Sequence, residues 1–103
     1  MKVLIIDTSS NQEIKVGLVI DGKEFSFKQL VDRKNQEVLP LVEKLLRQQE
    51  LELKDLTAIE VNLGPGSFTG LRVGVSIANT LGYLLKIPIN GEKIGVLVEP
   101  VYQ

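Results

Sequence analysis

The stretch Leu63-Gly64-Pro65-Gly66-Ser67-Phe68-Thr69-Gly70-Leu71-Arg72 marks where an aliphatic strand pattern ends, a tight loop turns and a long helix begins. Three glycines and a proline within Gly64 to Gly70 cannot continue the strand, so Gly64 to Gly66 form a connection with unusual backbone angles. Ser67 offers a hydroxyl to the first free amides of the helix. A glycine turn at a helix N-terminus presents unpaired N–H groups and the positive end of the helix dipole, which suits an anion such as phosphate. Against that stands the absence of the Lys-Ser/Thr pair that grips phosphate and magnesium in P-loops, which leaves a plain strand-to-helix turn as the competing reading.

Working outward, Ile59, Val61 and Leu63 alternate as a strand leading into the loop. The helix runs from about Ser67 to Leu85. At 100° per residue its polar positions Arg72, Ser76, Asn79, Thr80 and Tyr83 fill about a third of the circumference, leaving an apolar arc of roughly 200°. That arc divides into a large-side-chain side (Val73, Ile77, Leu81, Leu84) and a stripe of Gly70, Gly74, Ala78 and Gly82 recurring every four residues. Three glycines inside a helix cost about 3 kcal/mol relative to alanine, so close packing must offset them. The large side would cover the sheet. The small stripe either receives a partner helix or meets this chain's own first helix or sheet, and the width of the arc tilts the reading toward a partner.

At the other end, Val3 to Ile6 reads as a central strand that delivers Asp7-Thr8-Ser9-Ser10 as a polar turn. Ile14, Val16, Leu18 and Ile20 alternate in a second strand, Asp21-Gly22 is a hairpin signal, and Phe25 and Phe27 continue in a third. Asp32-Arg33-Lys34-Asn35 reads as a charged loop. Val38, Leu41, Val42, Leu45 and Leu46 then mark an amphipathic helix ending near Glu50, with Pro40 acceptable only near its first turn. The order strand, helix, strand implies a crossover, with the fourth strand parallel to the first. Beyond the long helix, Pro88 acts as a stop and Ile87 to Ile89 begins a fifth strand. Asn90-Gly91 forms a further turn into a short strand at Ile94 to Val98, and a tail closes the chain.

A chain of 103 residues fits one domain spanning 1–103. Its net charge of −1 argues against a broad basic surface for nucleic acid. It contains neither cysteine nor histidine. Those absences remove disulfides, thiolate nucleophiles, the Ser-His-Asp arrangement and nearly all transition-metal sites, so no metal site and no catalytic residue is assigned. No apolar run approaches membrane-spanning length and no signal peptide precedes the first strand, so a cytoplasmic location is expected.

The segments Leu-Ile-Ile-Asp-Thr-Ser at the N-terminus, Leu39-Pro40 and above all Gly64-Pro65-Gly66-Ser67-Phe68-Thr69-Gly70-Leu71-Arg72-Val73-Gly74 resemble the TsaB (YeaZ) family of bacterial proteins over residues 1–91. The eleven-residue motif is specific, whereas Asp-Thr-Ser after a strand is shared across the wider actin-like ATPase superfamily. The resemblance implies an α/β fold: one lobe of the actin/Hsp70 (ribonuclease H-like) type. Its mixed five-stranded sheet would have three antiparallel strands followed by parallel ones, two main helices and a short C-terminal strand and tail. It also implies a role in making threonylcarbamoyladenosine in tRNA, as a non-catalytic partner of the TsaD transferase. A TsaE-type ATPase would join the larger complex and tRNA would be engaged only indirectly.

Carried onto this chain, the resemblance assigns Gly70, Leu71, Gly74, Val75, Ala78 and Gly82 to a helix interface with TsaD or, in its absence, with a second copy. The missing histidines agree, since the catalytic paralogue carries metal-binding ones. Two alternatives stand beside it: a nucleotide-binding domain of the actin-like ATPase fold, with a nucleotide or anion contact at Asp7, Thr8, Ser9, Gly64, Gly66 and Ser67, and a homodimeric interaction protein with another role. Under the partner reading no cofactor is expected on the chain by itself, and ATP with magnesium only in a complex with partners. The chain departs from the family pattern where a second lobe would follow Gly91 and where Lys34-Asn35-Gln36-Glu37 stands at the start of the first helix. The Glu99-Pro100-Val101-Tyr102 ending resembles the tail of full-length members, which leaves a natural one-lobe form and a fragment as alternatives.

Overall fold

The computed structural model describes residues 1–30 and 34–101. A four-stranded sheet of order β3-β2-β1-β4 forms from β1 (Lys2–Asp7), β2 (Glu13–Ile20), β3 (Lys23–Leu30) and β4 (Ala58–Val61). β1 pairs antiparallel with β2, β2 antiparallel with β3, and β1 parallel with β4, as the meander and crossover require. Asp21 and Gly22 take the left-handed values that a two-residue hairpin demands, with φ of 49° and 87°.

Helix α1 (Lys34–Gln48) buries Val38, Leu41, Val42, Leu45 and Leu46, the periodic set read from the sequence. Lys34 and Asn35 therefore belong to the helix, not to a charged loop, and the rest of that loop lies outside the described residues. Pro40 stands in the second turn, later than expected. Its ring is exposed, so water can serve the carbonyl that loses a backbone donor there.

Helix α2 (Phe68–Leu85) is capped by Ser67, whose hydroxyl accepts from the Gly70 N–H at 3.2 Å. Its end comes from Lys86, not from Pro88: Lys86 turns left-handed (φ 57°) and the Ile87 N–H returns to the Gly82 carbonyl at 3.1 Å. Both helices touch the sheet and each other. Beneath them lies one apolar core of Leu4, Ile6, Ile14, Val16, Leu18, Ile59 and Val61 from the sheet, joined by the inward faces of α1 and α2.

The expected fifth strand is reduced to one parallel bridge, Ile59 with Ile89. The next residue ends it. Asn90 spends its side chain where a strand would spend its backbone, accepting from the Val61 N–H (2.8 Å) and donating to the Val61 carbonyl (3.0 Å). Asn90 and Gly91 then turn left-handed and carry the chain away from the sheet. Nor do residues 94–98 form a strand. A turn at residues 94–95, with Gly95 at φ 94°, brings the following segment back onto α2 through Val98 and to Leu63 through Val101.

Candidate functional site

Strand alternation divides the first set of candidate residues. Asp7 and Thr8, adjacent at the end of β1, point to opposite faces of the sheet. Thr8 turns into the protein, fully buried, and its hydroxyl sits against α2, donating to the Gly70 carbonyl at 2.5 Å and accepting from the Gly74 N–H at 3.1 Å. Asp7 remains half-buried on the side that no helix covers. Its Oδ1 accepts from the Ser9 N–H at 3.0 Å and from the Ser9 hydroxyl at 2.6 Å, and the Asn62 amide donates to that same hydroxyl at 3.3 Å. Burial alone would raise the Asp7 pKa, but the Ser9 hydrogen bonds, with smaller help from Asn62 and Lys15, outweigh it and hold the carboxyl below its ordinary value.

The glycine loop is fastened to this corner. The Ser67 N–H donates to the Ser9 carbonyl at 2.8 Å and the Gly64 N–H to Asn62 Oδ1 at 2.9 Å. Gly66 is glycine because a Cβ there would lie 2.6 Å from the Ser9 carbonyl oxygen. Gly64 has a left-handed φ of 116° and leaves room for the Val101 carbonyl. The structure thus brings Asp7, Ser9, Gly66 and Ser67 to one corner and sends Thr8 elsewhere. At least two of the loop amides that a phosphate would need already serve protein oxygens. Beside this corner, a shallow cleft of about 440 Å³ is lined by Ile5, Asp7, Glu60, Val61, Asn62 and Asn90. Among the described residues no cluster of three or more His, Cys, Asp or Glu could hold a metal ion.

The second set of candidates, the small stripe of α2, is turned inward. Gly70, Leu71, Gly74, Val75, Ala78 and Gly82 are all buried within the chain. A Cβ on Gly74 would strike the Thr8 hydroxyl, and one on Gly82 would come within 2.6 Å of Ile89 Cδ1. The stripe lets the helix lie close over β1 and over the Ile87–Ile89 segment, so the intrachain alternative is the one the fold realises. The expected division is inverted: Leu81 packs in the core, but Val73 and Ile77 are only half-buried and Leu84 is exposed. With Thr69, Arg72, Ser76, Thr80 and Tyr83 they form the outward face. Arg72 lies over the Phe68 ring at 5.4 Å, and Thr69, Arg72, Val73, Ser76 and Ile77 line a shallow depression of about 480 Å³.

Three asparagines act as clamps: Asn79 and Asn90, which the sequence marks only as a polar helix position and a turn residue, and Asn62, which it does not single out. Asn62 holds the loop, Asn90 closes the edge of β4, and Asn79 binds the tail through both amide atoms, donating to the Val98 carbonyl at 2.9 Å and accepting from the Val98 N–H at 3.0 Å. The only signal in the sequence is their place beside glycine turns and on the flank of an apolar helix.

The fold matches that of YeaZ from Pseudomonas aeruginosa with a TM-score of 0.82 at 30% identity, over 86% of this chain and 43% of that one. The family model described as TsaD, tRNA N6-adenosine threonylcarbamoyltransferase, matches residues 29–93. The tRNA threonylcarbamoyladenosine biosynthesis protein TsaB of Bacillus subtilis is 34% identical over 99% of this chain, and that of Escherichia coli 36% identical over 88%. The chain belongs to the TsaB/YeaZ family. It spans half or less of the length of these relatives: 50% of the Bacillus protein, 39% of the Escherichia protein and 43% of the Pseudomonas chain. Among the described residues no helix is long and apolar enough to cross a membrane.

Proposed function

We propose that this chain serves threonylcarbamoyladenosine biosynthesis as a docking subunit without catalytic residues of its own. Its partner is a TsaD-type transferase, with a second copy taking that place when the transferase is absent. The names of its relatives support the pathway. The observation that carries the docking role is the outward face of α2, where Phe68, Val73, Ile77, Tyr83 and Leu84 leave apolar surface uncovered beside Arg72. Leu39 on α1 adds a further exposed aliphatic group. The buried stripe acts at one remove, by setting how closely α2 lies on the sheet and so the plane of that face. A TsaE-type ATPase and tRNA would meet the complex, not this chain alone.

The experiment is co-purification of the chain with the TsaD-type transferase of the same organism, alongside mass measurement of each protein in solution. Leu84→Asp and Tyr83→Lys, both at exposed positions, should together leave the fold unchanged and remove association. Retained association by the folded double variant would refute the docking face.

In the same reading the chain holds no nucleotide by itself. The bonded loop amides and the diversion of Thr8 into the core support this. Calorimetry with ATP and magnesium should detect no binding to the isolated chain, and micromolar affinity would restore the nucleotide-binding alternative.

A further inference from the structure

Residues 98–101 are held by their backbone. Asn79 pairs with both the N–H and the carbonyl of Val98, as a neighbouring strand would, and the Val101 N–H donates to the Leu63 carbonyl at 2.6 Å. The Val98 side chain is buried in the main core. Gly64 leaves the room that the Val101 carbonyl occupies. Recognition therefore consists of one aliphatic anchor and two backbone clamps spaced for an extended segment, the logic by which strand-like peptides are read.

The connection to these anchors is different in kind. Residues 91–97 are all exposed, Gly91 and Gly95 have φ of 75° and 94°, and the backbone bonds at Glu92 and Val96 close only local turns. They form a tether, while the contacts that hold the tail lie at Val98 and Val101. A short tether gives its end an effective concentration on the order of millimolar, so even a weak site stays filled.

We infer that the flank of α2 at Asn79, together with Leu63 and Gly64, is a peptide-binding groove for an extended Val-Glu-Pro-Val segment, which this chain fills with its own tail. The groove reads backbone and one buried aliphatic side chain, so the segment is exchangeable for a free peptide of the same sequence.

The test inserts a site-specific protease sequence between Lys93 and Ile94 of the full chain, cleaves it, and titrates a fluorescently labelled hexapeptide Val-Leu-Val-Glu-Pro-Val by anisotropy. The nicked chain should bind the peptide with a dissociation constant below about 1 mM, while the uncut chain, its groove filled, binds much more weakly. Asn79→Ala should weaken binding to the nicked chain by at least about tenfold, as the loss of two hydrogen bonds implies. No binding to a nicked chain that keeps its circular dichroism, equal binding by the uncut chain, or indifference to Asn79→Ala overturns the groove. An uncut chain that dimerises in a manner dependent on Asn79 moves the occupant to the second copy and overturns the assignment in cis. If nicking unfolds the protein, amide exchange of the uncut chain decides. Val98 and Val101 should be protected and should fall to the rate of Gly95 in Asn79→Ala; exchange as fast as Gly95 in the unsubstituted chain overturns the proposal.

Discussion

The Thr8 hydroxyl stands between Gly70 and Gly74, bridging a carbonyl and an N–H that are one helical turn apart in α2. This contact joins the end of β1 to the first turns of the motif helix, and it exists only because position 74 carries no side chain. Replacing Thr8 by Val keeps the shape but removes both of these buried hydrogen bonds and sets a methyl group against the helix backbone, at a cost of about 1–3 kcal/mol. Thr8→Ser, which keeps the hydroxyl, should retain most of the stability. Urea denaturation of the two variants checks the difference.

Gly74→Ala sets two effects against each other. Helix propensity alone would favour alanine by about 1 kcal/mol. The added methyl group strikes the Thr8 hydroxyl and comes within 3.3 Å of Ile6 Cγ2, and such overpacking costs about 1–3 kcal/mol. The variant should be destabilised in spite of its better propensity, with a lower denaturation midpoint. Combining it with Thr8→Ala should recover part of the loss, because the two positions are coupled.

Asn90 fills two roles that can be separated. Asn90→Gly keeps the left-handed backbone but removes both hydrogen bonds to Val61, for a loss of about 1–2 kcal/mol. Asn90→Ala removes the bonds and adds backbone strain at φ of 51°, so it should fall below the glycine variant. Thermal unfolding of the pair orders them.

Asp7 links stability to pH. Burial would raise its pKa, but the hydrogen bonds from Ser9 prevail, so the folded value lies below the ordinary 3.8. A group depressed on folding contributes stability that is fully present above the unfolded value and is lost as pH falls through the folded one. The difference in stability between the unsubstituted chain and Asp7→Asn should thus shrink as pH is lowered from 6 to below 3.8. Ser9→Ala should raise the Asp7 pKa, as carboxyl chemical shifts followed against pH would report.

The stripe and the outward face of α2 also predict opposite phenotypes. Gly82→Leu drives a side chain into Ile89 and should destabilise the fold by more than about 1 kcal/mol. Leu84→Lys changes an exposed residue and should shift stability by less than about 0.5 kcal/mol. Denaturation midpoints measured side by side should differ in that order.

Local pattern determined most of the elements by itself. The alternation of Ile14, Val16 and Leu18, the hairpin at Asp21-Gly22, the helical spacing of Val38 to Leu46 and the Ser67 cap each depend on residues close in the chain, and all stand in the structure. The parallel pairing of β4 with β1 follows from the long crossover through α1. The eleven-residue motif from Gly64 to Gly74 pointed to the family on its own.

What the sequence left open was which neighbour each surface meets. The glycine stripe has the spacing of a helix contact whether the other side is a partner or β1, and its contacts with Thr8, far away in the chain, and with Ile89 turn it inward. Strand alternation sends Asp7 and Thr8 to opposite faces, but which face lies under α2 depends on how the whole helix is set down. The fifth strand stops after Ile89 because a side chain, Asn90, takes the bonds of Val61, and the tail settles on Asn79 for the same kind of reason. Periodicity reports how a segment divides its own faces; long-range contact geometry decides what each face touches.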